Sequence, residues 1–391
     1  MSAEFSPGNQ AHLLVSGMAY FPALIAAIDA AVHEIHLETY IFADDATGRS
    51  VATALARAAQ RSVTVRLLVD GFGAREFAAG TGQALAAGGV ELLVYRPELT
   101  RWKLRRHRLR RMHRKLAVID GRIAFVGGIN IIDDFDGGAS PAPRFDYAVR
   151  IEGPLVAEIH AAMRHLWRLV RWARFGRRTP AWTPEPSLPC GTTWAAFLIR
   201  DNLGHRHDIE NAYLAALAAA RKEILIANAF FIPGRRFREA LLAAALRGVT
   251  IDLVFQGHAE YRLIHYATQT LYSDFLAAGI RIHEYRPAFL HAKVAVIDDQ
   301  WATVGSSNID PFSLLLAREA NAFIRDAAFA AALRQSLHQA IADDCDTFQP
   351  GAPPHHPWWA RVRNRLAYAL VRLALSLSGY GMRYAGKEPR P

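Results

Sequence analysis

Cysteine is nearly absent: Cys190 and Cys345 are the only two in 391 residues, and they show no CxxC spacing. That excludes a disulfide framework and a readable cysteine zinc site, and it makes a reducing compartment the simpler expectation. Acidic residues are also in deficit, 36 against 46 Lys and Arg, which leaves a formal charge of +10. Such an excess favours an anionic partner, nucleic acid or an acidic membrane surface, without choosing between them. Long apolar runs are missing near the start. The first ten residues, MSAEFSPGNQ, lack a basic leader region, and the apolar stretch after them is broken by Pro22 and Asp29, so neither a secretory signal nor a membrane span is expected there. What is plentiful is ordinary core material, 51% hydrophobic against 21% charged, in a chain long enough for two domains.

One stretch occurs twice. Residues 113–131 read HRKLAVIDGRIAFVGGINI and residues 291–309 read HAKVAVIDDQWATVGSSNI, identical at eleven of nineteen positions. In each copy His and Lys stand two apart before an apolar run, so on a strand the imidazole and the ammonium share one face. A turn follows, then a second short strand ending in Gly127, Gly128 and Asn130, or in Gly305, Ser306 and Asn308, where small residues let backbone approach a ligand. A lone H-x-K is an ordinary exposed histidine on a hairpin. Two copies in identical order and spacing are not.

The elements around the two copies also repeat. Strands are expected at 12–15, 34–42, 63–70 and 90–95, with helices at 20–32, 49–60 and 83–87, a βαβ arrangement. The second half replays this with strands at 223–231, 249–255 and 280–285 and helices at 212–221, 236–247 and 271–278. Twelve extra residues lie between Pro97 and the first motif, in a segment that carries Arg101, Trp102, Lys103, Arg105, Arg106, Arg108, Arg110 and Arg111. They form a basic lip beside the site, or else a solvated arginine-rich loop. The expected architecture is α/β, with two pseudo-symmetric halves, 1–175 and 195–348, and the two motifs brought together across a pseudo-two-fold interface. A Pro-rich linker spans 176–194. Residues 349–391 hold a second Pro-rich breaker and a tail in which Trp358 and Trp359 precede several arginines. That tail suits a helix lying in a membrane interface, or one packed on the core.

Bringing the two hairpins together puts His113, Lys115 and Asn130 opposite His291, Lys293 and Asn308. Two lysines, with Asn130, Asn308 and Ser306 as phosphate-binding donors, would hold nonbridging oxygens and stabilise growing negative charge. One neutral imidazole can then attack phosphorus while the other, protonated, gives its proton to the departing alkoxide. No metal or other cofactor is required. Asp146 and Glu319, acids that open the strands after each motif, are the candidates for orienting the histidines. Asp120 and Asp298 complete each motif's catalytic set formally, but their place at hairpin turns favours a structural role.

The pattern H-x-K-x4-D followed by G-G/S-x-N, present twice, resembles the phospholipase D superfamily. Within it, LETYIFADDATG, RLLVDGFG, IANAFFIPG, the basic insertion and the Arg-rich aromatic tail are similar to the short, B-type class of bacterial cardiolipin synthases. The resemblance implies a phosphatidyltransferase acting through a phosphatidyl-histidine, with phospholipid substrates, and a two-lobed fold, each lobe a mixed sheet flanked by helices, with the active site at the lobe interface. By analogy with superfamily members it makes His113 the nucleophile and His291 the general acid. It also implies a peripheral enzyme on the cytoplasmic side of the bacterial inner membrane, partnered by anionic phospholipid and not by nucleic acid; no oligomeric state is specified. The competing functions are a nuclease or phosphodiesterase using the same two histidines on nucleic acid, and a noncatalytic anion-binding scaffold, which would have no need of two oriented imidazoles.

Overall fold

The computed structural model describes residues 4–97, 111–135, 138, 140–175, 187–201, 204–258, 262–310, 317–351 and 358–377. The first half runs β1 (Ser6–Val15), α1 (Ser16–Asp29), β2 (Glu34–Thr39), α2 (Ala46–Gln60), β3 (Thr64–Asp70), α3 (Arg75–Ala79), α4 (Thr81–Ala87), β4 (Glu91–Tyr95), β5 (Arg111–Met112), β6 (Lys115–Ile119), β7 (Ile123–Gly127), β8 (Tyr147–Glu152) and α5 (Leu155–Phe175). The second runs β9 (Thr193–Arg200), α6 (Asp208–Ala219), β10 (Glu223–Asn228), α7 (Arg235–Leu246), β11 (Thr250–Gln256), α8 (Arg262–Gln269), α9 (Tyr272–Ala277), β12 (Arg281–Tyr285), β13 (Lys293–Ile297), β14 (Trp301–Gly305), β15 (Ala317–Arg325), α10 (Ala327–Asp344), β16 (Cys345–Phe348) and α11 (Trp358–Leu377).

The strand order in the first half is β1-β8-β7-β6-β2-β3-β4, and in the second β9-β15-β14-β13-β10-β11-β12. Each half therefore has four antiparallel pairings followed by two parallel ones through βαβ crossovers. This is the duplicated mixed sheet. The halves are joined edge to edge, because β1 also pairs antiparallel with β9, so one continuous sheet crosses the molecule. Where the β1–β9 register shifts, Gly8 takes φ +84°, a backbone turn that a side chain would oppose.

That seam differs from the sequence expectation. The first strand begins at Ser6 rather than residue 12, and β9, absent from the sequence reading, starts at Thr193, inside the segment read as linker. The segment TWAAFLIR has no clean apolar alternation, and its pairing with β1 and β15 decides its state. β16, which extends the second half beyond β12, has no counterpart among the described residues of the first.

Three large cores follow from the layering. α1 and α2 cover one face of the first half, and α6, α7 and α9 the equivalent face of the second. The third core is shared. Along α5, Leu155, Val156, Ile159 and Met163 recur at helical spacing, as do Phe329, Ala330, Leu333 and Leu337 along α10, and both stripes pack with Leu116 and Tyr147 of one half and Val294 and Val304 of the other. Burying each such Leu or Val stabilises the fold by about 1.5–3 kcal/mol, so the halves are held together mainly by this apolar layer. Asp326 caps α10 by accepting from the Phe329 N–H at 2.9 Å. Among the described residues no helix is long and apolar enough to cross a membrane.

Candidate active site at the lobe interface

Each H-x-K enters its hairpin from a segment that pairs with the other lobe. β5 runs parallel to the start of β15, and the His113 N–H donates to Arg318 O at 2.9 Å. In the pseudo-symmetric position Phe145 bridges Leu290 in parallel, and the His291 N–H donates to Phe145 O at 2.9 Å. Behind these segments the ends of β3 and β11 hold the backbone. Asp70 accepts from the Met112 N–H at 2.9 Å, and its counterpart Gln256 accepts from the Leu290 N–H at 3.2 Å.

The consequence is a crossed pairing of acids and histidines. Glu319 of the second lobe lies 3.1 Å from His113 Nδ1, and Asp146 of the first lobe lies 2.6 Å from His291 Nδ1. Both carboxylates are buried and fix the Nδ1–H tautomer, leaving each Nε2 available. The two imidazole rings face one another with centroids 6.4 Å apart. Lys115 Nζ donates to His113 O at 2.5 Å, Lys293 Nζ donates to His291 O, and both lysines are buried. Tyr40 walls one side, 4.9 Å from the His113 ring and 5.5 Å from Lys115 Nζ, while Phe289 lies 5.7 Å from His291.

The charges in this cleft are poised for an anion. Burial, then the cation on Lys293, brings Lys115 down to about 7 despite the pull of Glu319. Burial brings Lys293 down to about 8. Burial lowers His113, and burial with the two lysines holds His291 well below the usual imidazole value. A phosphodiester placed among them would restore the protonated forms, since it supplies the negative charge the pocket lacks. The carboxylates diverge. Burial would raise Glu319, but His113, Arg200 and Lys115 hold it below the normal range, whereas burial raises Asp146 to about 6.

The remaining sequence candidates fall into place unevenly. Asn130 and Asn308 are buried beside the hairpin ends; Asn130 Oδ1 accepts from the Ile41 N–H at 3.2 Å, so only its N–H donors remain for a ligand. Ser306, expected to bind phosphate, is wholly buried and instead donates to Glu319 Oε2 at 2.5 Å and accepts from the Ala320 N–H at 3.1 Å. Asp120 and Asp298, grouped with the catalytic set, stand outside the cleft. Asp120 accepts from the N–H groups of Val32, His33 and Glu34 at 2.8–2.9 Å, and Asp298 from those of Arg221, Lys222 and Glu223 at 2.8–3.1 Å. Each holds the start of a strand. Arg101, Trp102, Lys103, Arg105 and Arg106 lie outside the described residues; Arg111, at the edge of that insertion, stacks over Phe72 at 5.0 Å and lies 3.7 Å from Asp70.

Sequence reasoning missed Arg200, Tyr40 and Phe289. Arg200, buried at the end of β9, donates to Ser307 Oγ at 3.3 Å and lies 3.9 Å from Glu319. It also missed the buried Arg114–Glu38 ion pair, where Arg114 Nη2 donates to Glu38 Oε1 at 2.9 Å; the second lobe has Ala292 and Ala227 in those places. Outside the histidine pair, Glu34, His36 and His160 bring three potential ligand atoms within 4.8 Å of one another. Glu34 is already committed to Arg66 at 2.8 Å, and burial with the neighbouring His160 and guanidinium groups holds His36 well below its usual value. That cluster is an ion-pair network between β2, β3 and α5, and a dication would have to break into it.

Comparison with known proteins agrees with this geometry. The family described as "Cardiolipin synthase, PLD-like domain" matches residues 24–167 and 213–341, one segment per lobe. The chain is 39% identical to cardiolipin synthase B of Escherichia coli (strain K12) over 390 residues, covering 97% of this chain and 92% of that one. It is 30% identical to cardiolipin synthase 1 of Bacillus anthracis over 307 residues, 76% of this chain and 60% of that one. The crystal structure of phosphatidylserine synthase from Haemophilus influenzae Rd KW20 superposes with a TM-score of 0.69 over 95% of both chains at 13% identity, a likeness of fold. Both halves that carry the H-x-K motif are matched by the family model, and nearly the whole chain aligns with a relative at 39% identity, so the chain belongs to the cardiolipin synthase family of phospholipase D-like proteins.

Proposed function

We propose that the cleft between the lobes transfers a phosphatidyl group from phosphatidylglycerol to the hydroxyl of a second phosphatidylglycerol, giving cardiolipin and glycerol. The observation that carries this reading is the facing pair of imidazoles, each held by a carboxylate from the opposite lobe and flanked by a buried lysine. Membership of a phosphatidyltransferase family supports the substrate class, so phospholipid rather than nucleic acid is the anion the cleft accepts.

The first half-reaction begins with His113 Nε2 attacking phosphorus. A P–N bond forms, the P–O bond to glycerol breaks, and His291 Nε2–H gives its proton to the departing oxygen. Negative Glu319 stabilises the imidazolium character that His113 acquires. In the second half, neutral His291 takes the proton of the incoming hydroxyl, whose oxygen attacks phosphorus as the P–N bond breaks. His113 returns neutral and His291 protonated. Lys115, Lys293, Asn130 and Asn308 hold the nonbridging oxygens through both displacements.

On this reading residues 1–175 and 193–348 are the two lobes, the second opening with β9, and the enzyme is peripheral, at the cytoplasmic face of the bacterial inner membrane, where two free cysteines are kept reduced. Incubating the purified protein with phosphatidylglycerol vesicles and separating the lipids tests it. Cardiolipin and glycerol in equal amounts are expected. Phosphatidic acid alone, or no lipid change together with cleavage of single-stranded DNA, would contradict it.

A further inference from the structure

α11 has two faces. Ala360, Asn364, Ala367 and Val371 are buried, and on this side the helix sits on α8. There Arg363 stacks 3.6 Å from the Tyr266 ring centroid, and Asn364 Nδ2 donates to Gln269 Oε1 at 3.2 Å. On the opposite side Trp358, Trp359, Val362, Leu366 and Leu370 are 71, 54, 47, 59 and 54% exposed. At about 100° per residue these five fall within an arc of roughly 120°. They form one stripe. The inner face already satisfies the helix's packing, so the outer one is not a core face waiting for a partner within the lobe. A contiguous apolar stripe of this kind marks an interaction surface.

Charge selects the occupant. Arg361, Arg365 and Arg372, all exposed, line one flank of the stripe, and α11 contains no Asp or Glu. A second copy of the helix would set arginine rows against each other, a like-charge contact that costs association. Anionic headgroups would neutralise them, and the indoles of Trp358 and Trp359 suit the boundary between headgroup and acyl chain.

We propose that the outer face of α11 lies in the plane of an anionic bilayer while its inner face clasps α8, so that one helix ties the catalytic lobe to the membrane. The tie is short. Ile264, His265 and Thr268 of α8 line a small cavity together with Phe289, the residue beside His291. Docking therefore sets the cleft close to the headgroups. This rests on the reading that the substrates are phospholipids.

Sedimentation of the full chain with phosphatidylglycerol–phosphatidylcholine vesicles at low and high ionic strength tests the proposal without turnover, so its failure is distinct from a failure of the transfer assay. Trp359→Glu with Leu366→Glu should cut the salt-resistant bound fraction roughly tenfold or more. Changing Arg361, Arg365 and Arg372 to Gln should weaken binding chiefly at low salt. Thermal unfolding should be nearly unchanged in both variants, since the altered side chains are exposed and Trp359 gives up only a 5.5 Å contact with Arg363. Unchanged salt-resistant binding by the first variant would overturn the proposal. So would a wild-type dimer, seen by light scattering, that the same variant dissociates while vesicle binding persists.

Discussion

The two lobes hold their histidines with the same strands but with different chemistry at one pair of positions. In the first lobe Gly128 faces Asp146, and a Cβ on that glycine would come within 2.3 Å of the carboxylate. In the second lobe Ser306 takes the glycine's place and Glu319 the aspartate's, with the serine hydroxyl donating to the longer acid. The two substitutions compensate in reach. They do not compensate in charge. Glu319 has His113, Arg200 and Lys115 to hold it ionised against burial, while Asp146, which has the Tyr147 N–H at 2.8 Å, is raised by burial to about 6. On the proposed reading that difference divides the labour. An acid held ionised belongs behind the imidazole that becomes cationic on phosphorylation, His113, and a more easily protonated acid behind the one that alternately gives and takes a proton, His291.

The largest expected effect comes from erasing either side of the comparison. His113→Ala and His291→Ala should each lower cardiolipin formation by about a thousandfold or more, because both imidazoles act in every cycle. Circular dichroism should show the fold retained. Near-normal turnover in either variant would break the two-histidine scheme.

Next in size are the acids. Glu319→Gln should cost roughly a hundredfold or more in rate, through His113 of the other lobe, whereas Asp146→Asn should act through His291. The pH profile separates them. Glu319 raises the His113 pKa against the effect of burial, so removing its charge should lower that pKa. Activity is lost as falling pH protonates the nucleophile, so the acid limb should move to lower pH in Glu319→Gln. If the limb stayed fixed while His291 shifted by NMR titration, the crossed pairing would be wrong.

Smaller effects test the steric exchange. Gly128→Ala should destabilise by about 1–3 kcal/mol through overpacking on Asp146. Ser306→Ala should cost about 1–2 kcal/mol by leaving buried Glu319 short of one donor. Denaturant midpoints measure both, and equal tolerance at the two positions would remove the asymmetry. Smallest in its effect on catalysis is the change at the hairpin turns. Asp120→Asn and Asp298→Asn should lower stability by about 1 kcal/mol each and leave kcat within about twofold, as befits acids that only hold backbone N–H groups.

Much of this was legible in the chain because the repeat carries its own register. The spacing of His113 and Lys115, and of His291 and Lys293, defined the strands and shared faces, the doubled βαβ order implied two repeated α/β halves, and the mixed sheet came with the family resemblance. The crossing of Glu319 and Asp146 was not legible. It depends on Arg111–Met112 and Leu290 lying beside the other lobe's strands, and such short cross-lobe pairings leave no periodicity. Arg200 was hidden for a related reason, since it ends a strand whose pairing with β1 and β15, not its own pattern, fixes it. Ser306 showed its asymmetry in sequence but not its partner, because a hydroxyl in a Gly-Ser-Ser turn gives no sign of whether it meets a ligand or a buried acid.

The account's central claim is a covalent phosphatidyl-enzyme on the lobe whose histidine is backed by Glu319, the more readily ionised acid. Rapid acid-free quenching of the protein with phosphatidylglycerol labelled in its phosphatidyl part, followed by peptide mapping, tests it most directly. Label on the peptide containing His113, absent from His113→Ala and chased into cardiolipin by unlabelled phosphatidylglycerol, is the predicted result; label on the His291 peptide, or turnover with no labelled peptide at all, would contradict it.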